Sequence, residues 1–203
     1  MENIFEFSFA ESIALKQKIL GAEKLKSTVL AVSNEIILAY KSGNKTRFCG
    51  NGGSAADAQH ISAELSGKFS FDRPPLDSEA LHVNSSFITA VANDYSFDVV
   101  YERMVDAQGK KGDVFVGIST SGNSTNVVLA LKKAKEIGMK TVALTGIEGG
   151  KMADFADYLI AVPSRDTPRI QEVHILIGHI ICEIVEHDLF ENLKHYNHEQ
   201  NVG

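Results

Sequence analysis

The stretch CGNGGSAADAQHISAEL, from Cys49 to Leu65, places three glycines, a serine, a histidine and a glutamate in one short run. The segment TRFCG (46–50) has the pattern of a short strand, and SAADAQHISAELSG (54–67) has that of a helix with Ser54 as its N-cap. Glycines between a strand and a helix permit a sharp turn and let a ligand approach the backbone amides closely. Their spacing differs from the dinucleotide fingerprint, and no lysine completes a nucleotide-triphosphatase phosphate loop. On the glycines alone, a ligand-binding loop and a plain tight turn are equally supported.

Strands and helices alternate along the rest of the chain. The clearest buried strand is DVFVGIS (113–119), which a helix over 125–138 follows. Further strands are predicted at EALHV (79–83), KTVALTG (140–146) and DYLIAVP (157–163), with two helices over 85–109 interrupted near Asn93–Asp94 and a short helix over 149–156. Apolar strands alternating with helices predict a three-layer α/β sandwich, with a parallel sheet of about five strands. Ligands of such sheets bind beyond the carboxyl ends of the strands.

Helical segments stand at both ends of the chain. Residues 1–44 show helical spacing of apolar residues, with breaks at Gly21 and around Ser42–Asn44. A long closing helix is predicted over 167–193, with Pro168 in its first turn. No linker or repeat divides the chain. We therefore predict one domain over residues 1–203, comprising a helical N-terminal extension (1–44), the α/β body and a polar tail (191–203).

The composition is that of an ordinary globular protein, with 44% hydrophobic and 23% charged residues. The formal net charge of −6 gives no reason to expect nucleic acid as a partner. The first residues, MENIFEFSFAES, are acidic rather than basic, and no apolar run reaches the length of a membrane span. The sequence thus predicts a cytoplasmic protein with no membrane partner. Cys49 and Cys182 match no metal or redox spacing and are predicted to be small buried hydrophobic residues.

A second strand-to-helix loop, STSGNS (119–124), favours ligand binding over a plain tight turn for the glycine-rich loop as well. It offers the hydroxyls of Ser119, Thr120, Ser121 and Ser124 together with amides at a helix N-terminus. Hydroxyls, oriented amides and the helix dipole suit a phosphate ester. A helix cap needs one hydroxyl, and four are more than capping requires. This segment, called the serine loop below (119–124), therefore favours binding of a phosphate monoester on a small molecule.

Polar side chains on two helices are candidates for chemistry. His60 and Glu64 are one helical turn apart and share a face directly behind the glycine loop, which is the segment GNGGS (50–54). On the apolar closing helix, Gln171 and His179 lie on one ridge, and such a helix has little reason to bury polar groups without partners. His174 and Glu172 are predicted to be solvated or paired with neighbouring elements. Spacing alone leaves open whether the two helices bring their polar groups together.

Three stretches together carry a family resemblance: CGNGGSAADAQHISAEL, GISTSGNSTNV and TPRIQEVHILIGHIICE. They resemble the phosphoheptose isomerases (sedoheptulose-7-phosphate isomerases), a branch of the sugar-isomerase (SIS) domain family with a flavodoxin-like sheet. The resemblance covers nearly the whole chain. It implies conversion of sedoheptulose 7-phosphate to D-glycero-D-manno-heptose 7-phosphate through an enediol, the first step towards nucleotide-activated heptose for bacterial lipopolysaccharide or other surface glycans.

The resemblance also implies a set of site residues and an assembly. It implies one zinc ion per subunit, held by His60, Glu64, Gln171 and His179. The implied substrate contacts are Asn51, Gly52, Gly53, Glu64, Asn93, Asp94, Ser119, Thr120, Ser121, Ser124 and Gln171. For the proton transfers of an enediol mechanism we expect Glu64 to be the base at carbon and His179 the acid at oxygen. Lys68 departs from the pattern, which has arginine there, and lacks the bidentate fork. Members are homotetramers with sites completed across subunit boundaries.

Three other functions remain to be weighed. A non-catalytic SIS protein, such as the tetrameric relative that binds the replication initiator DnaA, keeps the fold and the serine loop without needing the full set of His60, Glu64, Gln171 and His179. An isomerase of another sugar phosphate would look very similar. A phosphosugar-sensing regulator would carry a DNA-binding domain, for which the N-terminal segment lacks the basic charge.

Overall fold

A computed structural model describes residues 2–200 of the chain and the side chains of residues 3–191. The helices are α1 (Glu2–Leu20), α2 (Glu23–Lys41), α3 (Gly53–Ser66), α4 (Ser85–Asp94), α5 (Val100–Gln108), α6 (Thr125–Ile137) and α7 (Thr167–Gln200). The strands are β1 (Thr46–Gly50), β2 (Ser78–Ala80), β3 (Val114–Ile118), β4 (Lys140–Thr145) and β5 (Tyr158–Ala161), and two 3-10 turns span Phe97–Val99 and Gly150–Phe155. Within residues 2–200, none of the helices has a stretch apolar and long enough to cross a bilayer.

The five strands form one parallel sheet in the order β2-β1-β3-β4-β5. The predicted fold class is therefore confirmed. In this strand order the connections turn to opposite sides of the sheet after β1 and β3, so the loops that follow these two strands open a crevice between them. The glycine loop follows β1 and the serine loop follows β3, and their strands pair from Thr46–Val114 to Gly50–Ile118.

Two apolar cores cover the two faces of the sheet. Side chains of α2, α3 and α7 pack against one face, where Phe48 and Val116 belong to the core. Side chains of α5 and α6 pack against the other, where Phe115 and Cys49 point. All five positions of β3 are buried, as a central strand covered on both sides requires. Both cysteines are buried and unpaired, as predicted.

Four local features differ from the prediction. Helix α3 begins one residue early, with Gly52 at its N-cap and φ of 54°, while Ser54 lies inside the helix and is buried. The cause is the tightness of the turn, since a Cβ at Gly50 would lie 2.5 Å from the Ser54 carbonyl oxygen. Strand β2 is shorter than 79–83, and the predicted helix over 149–156 is a 3-10 turn. Helix α7 continues past residue 193 to Gln200, through the polar tail.

His174 is fully buried on α7, so of the two states predicted for it the paired one is found. Its Nε2 lies 3.2 Å from the Thr145 carbonyl oxygen on β4, which makes Nε2 the protonated donor. Its Nδ1 is buried with no hydrogen-bond partner, so a second proton there would have no acceptor. Burial accordingly lowers the pKa of His174 to about 4, despite the opposing effect of the Thr145 hydrogen bond. Glu172 is paired too, with Ser12 and Arg169.

The lowered pKa predicts a pH-dependent stability. The unfolded chain takes up a proton on His174 near pH 6.5 and the folded chain only near pH 4, so stability is full above pH 6.5 and falls as the pH drops towards 4. Between pH 7 and pH 5 this residue should remove about 2 kcal/mol. Urea unfolding of the wild type and of His174→Gln at both pH values isolates the effect, because all other titrating groups are common to both. Equal losses in the two proteins would contradict the assignment.

Candidate functional site

His60 and Glu64 on α3 meet His179 on α7, and one ligand atom from each lies within 4.8 Å of the other two. The Nε2 atoms of His60 and His179 are 3.0 Å apart, and Glu64 Oε1 is 3.3 Å from His60 Nε2. The His60 and Glu64 side chains are 49% and 27% exposed, so the cluster is open to solvent on one side. The helices that carry the predicted polar residues therefore do bring three of them together.

This trio fits a divalent metal ion. Two ring nitrogens bound to a tetrahedral zinc ion at about 2.0–2.1 Å each lie about 3.3 Å apart, close to the observed separation of the two Nε2 atoms. Imidazole nitrogens and a carboxylate oxygen are zinc ligands, and three protein ligands leave room for a further one. Without a metal, one of the two Nε2 atoms must carry a hydrogen and donate a hydrogen bond to the other.

The close approach of α3 and α7 depends on a glycine beside His179. A Cβ at Gly178 would clash with the side chain of Ile61, lying 2.6 Å from its Cγ1 atom. Ile61 itself is buried in the core next to His60. The absence of a side chain at residue 178 lets the helix axes approach until the histidines touch.

Gln171 lies at the start of α7 and covers the first residue of α3. A Cβ at Gly53 would meet its amide, 3.1 Å from Cδ and closer still to Nε2. The absence of a side chain at residue 53 therefore leaves room for the Gln171 amide. This contact places Gln171 at the N-terminal end of the helix that carries His60 and Glu64.

The serine loop presents its hydroxyls without using them to cap α6. Ser124 is the N-cap residue of that helix, yet its side chain makes no capping hydrogen bond. Its Oγ instead lies 2.9 Å from Ser119 Oγ, which is also 3.4 Å from Ser121 Oγ. Thr120 and Ser121 line a neighbouring cavity of about 240 Å³. Hydroxyls grouped at a helix N-terminus are a fitting environment for a phosphate group.

The two loops are joined by a pair of amide side chains, of which the sequence analysis named Asn51 and missed Asn126. Asn51 Nδ2 donates to Asn126 Oδ1 at 2.9 Å, and Asn126 Nδ2 donates back to Asn51 Oδ1 at 3.0 Å. Asn126 is only 3% exposed and sits in the first turn of α6. The pair fixes the glycine loop relative to the serine loop. An asparagine early in a helix resembles an ordinary capping residue, so no sequence signal marked it.

Asp57 is a second group that sequence reasoning missed. It lies three residues before His60 on α3, and its Oδ2 is buried with no hydrogen-bond partner. Burial raises the pKa of Asp57 to about 6, against the lowering effect of His60. The spacing of three residues could have indicated that it shares a face with His60.

Other predicted contact residues stay apart from this cluster within the chain. Asn93 and Asp94 are exposed at the end of α4, and Asn93 Nδ2 donates to Asp94 Oδ1 at 2.8 Å. Within the described residues, neither forms a hydrogen bond to the histidines or to the serine loop. Lys68 is exposed just beyond α3. Their roles in binding remain predictions.

Comparison with known proteins identifies relatives over most of the chain. Residues 9–146 match the family described as "SIS domain". The chain is 51% identical over 190 residues to a phosphoheptose isomerase of Clostridium acetobutylicum, covering 94% of this chain and 97% of that protein. It is 53% identical to phosphoheptose isomerase 2 of Campylobacter jejuni, covering 94% of this chain and 96% of that one.

Solved structures agree with these relatives. The phosphoheptose isomerase GmhA from Neisseria gonorrhoeae superposes with a TM-score of 0.84 at 44% identity, covering 91% of this chain and 98% of that one. The likeness therefore extends over the helical N-terminal part as well as the α/β body.

Proposed function

This chain belongs to the SIS-domain family and, within it, to the phosphoheptose isomerases, and we propose that it converts sedoheptulose 7-phosphate to D-glycero-D-manno-heptose 7-phosphate. It is an enzyme, an isomerase that interconverts a ketose and an aldose. The observation that carries the proposal is the cluster of His60 and Glu64 on α3, which starts at the glycine loop, with His179 on α7. A non-catalytic binding protein would have no use for that cluster.

The serine loop is the phosphate-binding part of the site. The hydroxyls of Ser119, Thr120, Ser121 and Ser124 and the amides at the start of α6 bind the phosphate of the sugar. Asn51, Gly52 and Gly53 line the sugar from the adjacent loop, together with Gln171, Asn93 and Asp94. Binding the phosphate far from the reacting carbons positions the substrate without touching the bonds that change.

Isomerisation moves a proton between C1 and C2 through an enediol. Glu64 removes the proton from carbon and returns it to the neighbouring carbon, while His179 donates and accepts protons at the oxygens. His60 lies against both groups and holds their orientation. Zinc held by His60, Glu64 and His179, with Gln171 as the fourth ligand that the family resemblance implies and one ion per subunit, would polarise the carbonyl oxygen when present.

The enzyme acts as a homotetramer in the cytoplasm, with sites completed at subunit boundaries. Helix α1 supports assembly, since six of its apolar residues are more than half exposed in the single chain: Ile4, Phe5, Phe7, Phe9, Ile13 and Leu20. An apolar groove of about 280 Å³ between α1, α2 and α7 continues this surface. Asn93 and Asp94, which are exposed and lie apart from the histidine cluster within one chain, are our candidates for contacts across such a boundary. The two buried, unpaired thiols suit the cytoplasm. The product enters the synthesis of nucleotide-activated heptose for lipopolysaccharide or other surface glycans.

The direct test is isomerisation of sedoheptulose 7-phosphate by the purified protein. We expect turnover that a chelator abolishes and that added Zn²⁺ restores. Mg²⁺ added to the chelated protein is the control, because it prefers oxygen ligands to imidazole. Turnover unaffected by the chelator would refute the metal site, and no turnover with Zn²⁺ present would refute the substrate assignment. Ketose phosphates of five and six carbons in the same assay test the alternative of another sugar phosphate.

A further inference from the structure

A buried ion pair lies behind the metal-ligating cluster. Arg73, in the irregular segment between α3 and β2, donates from Nε to Glu186 Oε1 on α7 at 2.9 Å, and the two side chains are 0% and 1% exposed. Removing an arginine and a glutamate from water is unfavourable unless their remaining polar atoms are bonded. The further hydrogen bonds of Arg73 and Glu186 therefore determine whether the pair is favourable and what it positions.

Arg73 closes the end of the helix that carries Glu64. Its Nη2 donates to the Glu64 carbonyl oxygen at 2.8 Å, and its Nη1 donates to the Leu65 and Gly67 carbonyl oxygens at 2.8 and 3.0 Å. The last carbonyls of a helix lack partners within it, and a cation there also opposes the negative end of the helix dipole. The guanidinium thus fixes the backbone of Glu64, a residue of the cluster.

Glu186 acts on the other side of the cluster. Its carboxylate accepts hydrogen bonds from the backbone N–H groups of Phe69 and Ser70 at 2.9 and 2.7 Å. The Phe69 ring held in this way lies against the His179 ring, with centroids 5.7 Å apart. Glu186 follows His179 by seven residues, two turns further along the same face of α7. One carboxylate therefore positions the aromatic neighbour of His179 and, through Arg73, the backbone of Glu64.

From this geometry we propose that Arg73 and Glu186 are positioning residues that set the separation of Glu64 and His179 and thereby the metal affinity of the site. The inference rests on the proposed metal site. Residues that orient metal ligands from behind change metal affinity by about ten- to a hundredfold when altered. A purely structural ion pair would change stability and leave the affinity of the folded protein unchanged.

The test measures Zn²⁺ affinity of the metal-free protein by competition with a chromogenic chelator. In Glu186→Gln the Kd for Zn²⁺ should rise by about ten- to a hundredfold. Asp188→Asn is the matched control. Asp188 lies on α7 two residues after Glu186, and its replacement breaks only an exposed ion pair with Lys41. Its Kd should equal that of the wild type. With saturating Zn²⁺, Glu186→Gln should lower kcat more than it raises KM for sedoheptulose 7-phosphate, since the serine loop is untouched.

The outcomes separate this inference from the proposed function. A wild type that does not bind Zn²⁺ refutes the metal site itself. A wild type that binds Zn²⁺ with a Kd that Glu186→Gln leaves unchanged overturns the positioning role alone. If Glu186→Gln yields no folded protein, Phe69→Leu decides, because it keeps the ion pair and the backbone hydrogen bond and removes only the ring beside His179. An unchanged Kd in that variant likewise overturns the proposal.

Discussion

Replacing Glu64 by glutamine should lower kcat for sedoheptulose 7-phosphate by about a hundred- to ten-thousandfold, with little change in substrate affinity. The amide keeps the shape of the side chain and one oxygen towards His60, from which the carboxylate now lies 3.3 Å. It cannot accept a proton from carbon, however, so the enediol does not form. Substrate binding should persist because the serine loop and its four hydroxyls are unaltered.

The measurement pairs steady-state kinetics with calorimetric binding of the substrate. Zinc content has to be determined in the same preparations, since an amide is a poorer ligand than a carboxylate and loss of metal would also lower kcat. Glu35→Gln is the control, because Glu35 is a partly buried glutamate on α2 that bonds Tyr158 and has no contact with the site. Zinc-loaded Glu64→Gln enzyme that turns over at the wild-type rate would show that another group is the base.

The sheet and its two functional loops were predictable because their signals are local. The segment TRFCG coincides with β1, and DVFVGIS differs from β3 only at its ends. Strands alternating with helices leave few arrangements other than a parallel sheet, and that arrangement brings the carboxyl ends of β1 and β3 together. The polar residues that follow these strands could therefore be assigned to one site from the sequence.

Contacts between distant elements could not be predicted from local pattern, and only the family resemblance implied that polar residues of α3 and α7 share a site. His60 and His179 are 119 positions apart, and their contact depends on how closely α3 and α7 cross at Gly178. Nothing local distinguishes Gly178 from any other glycine in an apolar helix. Arg73 stands in an irregular segment, FDRPPLDS (71–78), and its role appears only when Glu186 reaches it from α7.

The assignment of Ser54 as an N-cap was wrong for a related reason. Residue preference favours serine at a helix start, but the turn after β1 is so tight that the helix already begins at Gly53. Gly52, with its positive φ, takes the position instead. Tertiary constraint outweighed local preference in this loop.

Replacing Gly122 in the serine loop by alanine should raise KM for the phosphorylated sugar by at least about tenfold, which corresponds to about 1.4 kcal/mol of lost binding. Gly122 has φ of +67°, and a Cβ there would clash with the carbonyl oxygen of Gly149 and lie 2.5 Å from its carbonyl carbon. The Gly122 carbonyl also accepts from the Met152 N–H at 3.0 Å. Since the obstacle is backbone, the serine loop itself has to move, and the spacing of its hydroxyls moves with it.

Gly43→Ala separates loop displacement from backbone strain. Gly43 has a similar φ of +75°, but a Cβ there would meet no atom within 4 Å, and the residue lies between α2 and β1, away from the site. Both variants should lose about 1–2 kcal/mol of stability to the left-handed backbone, whereas only Gly122→Ala should raise KM and weaken competitive inhibition by inorganic phosphate. An unchanged KM and phosphate inhibition constant in Gly122→Ala would mean that the phosphate is bound elsewhere. Loss of phosphate affinity with kcat retained at saturating substrate would instead place binding in the serine loop and chemistry on the helix pair.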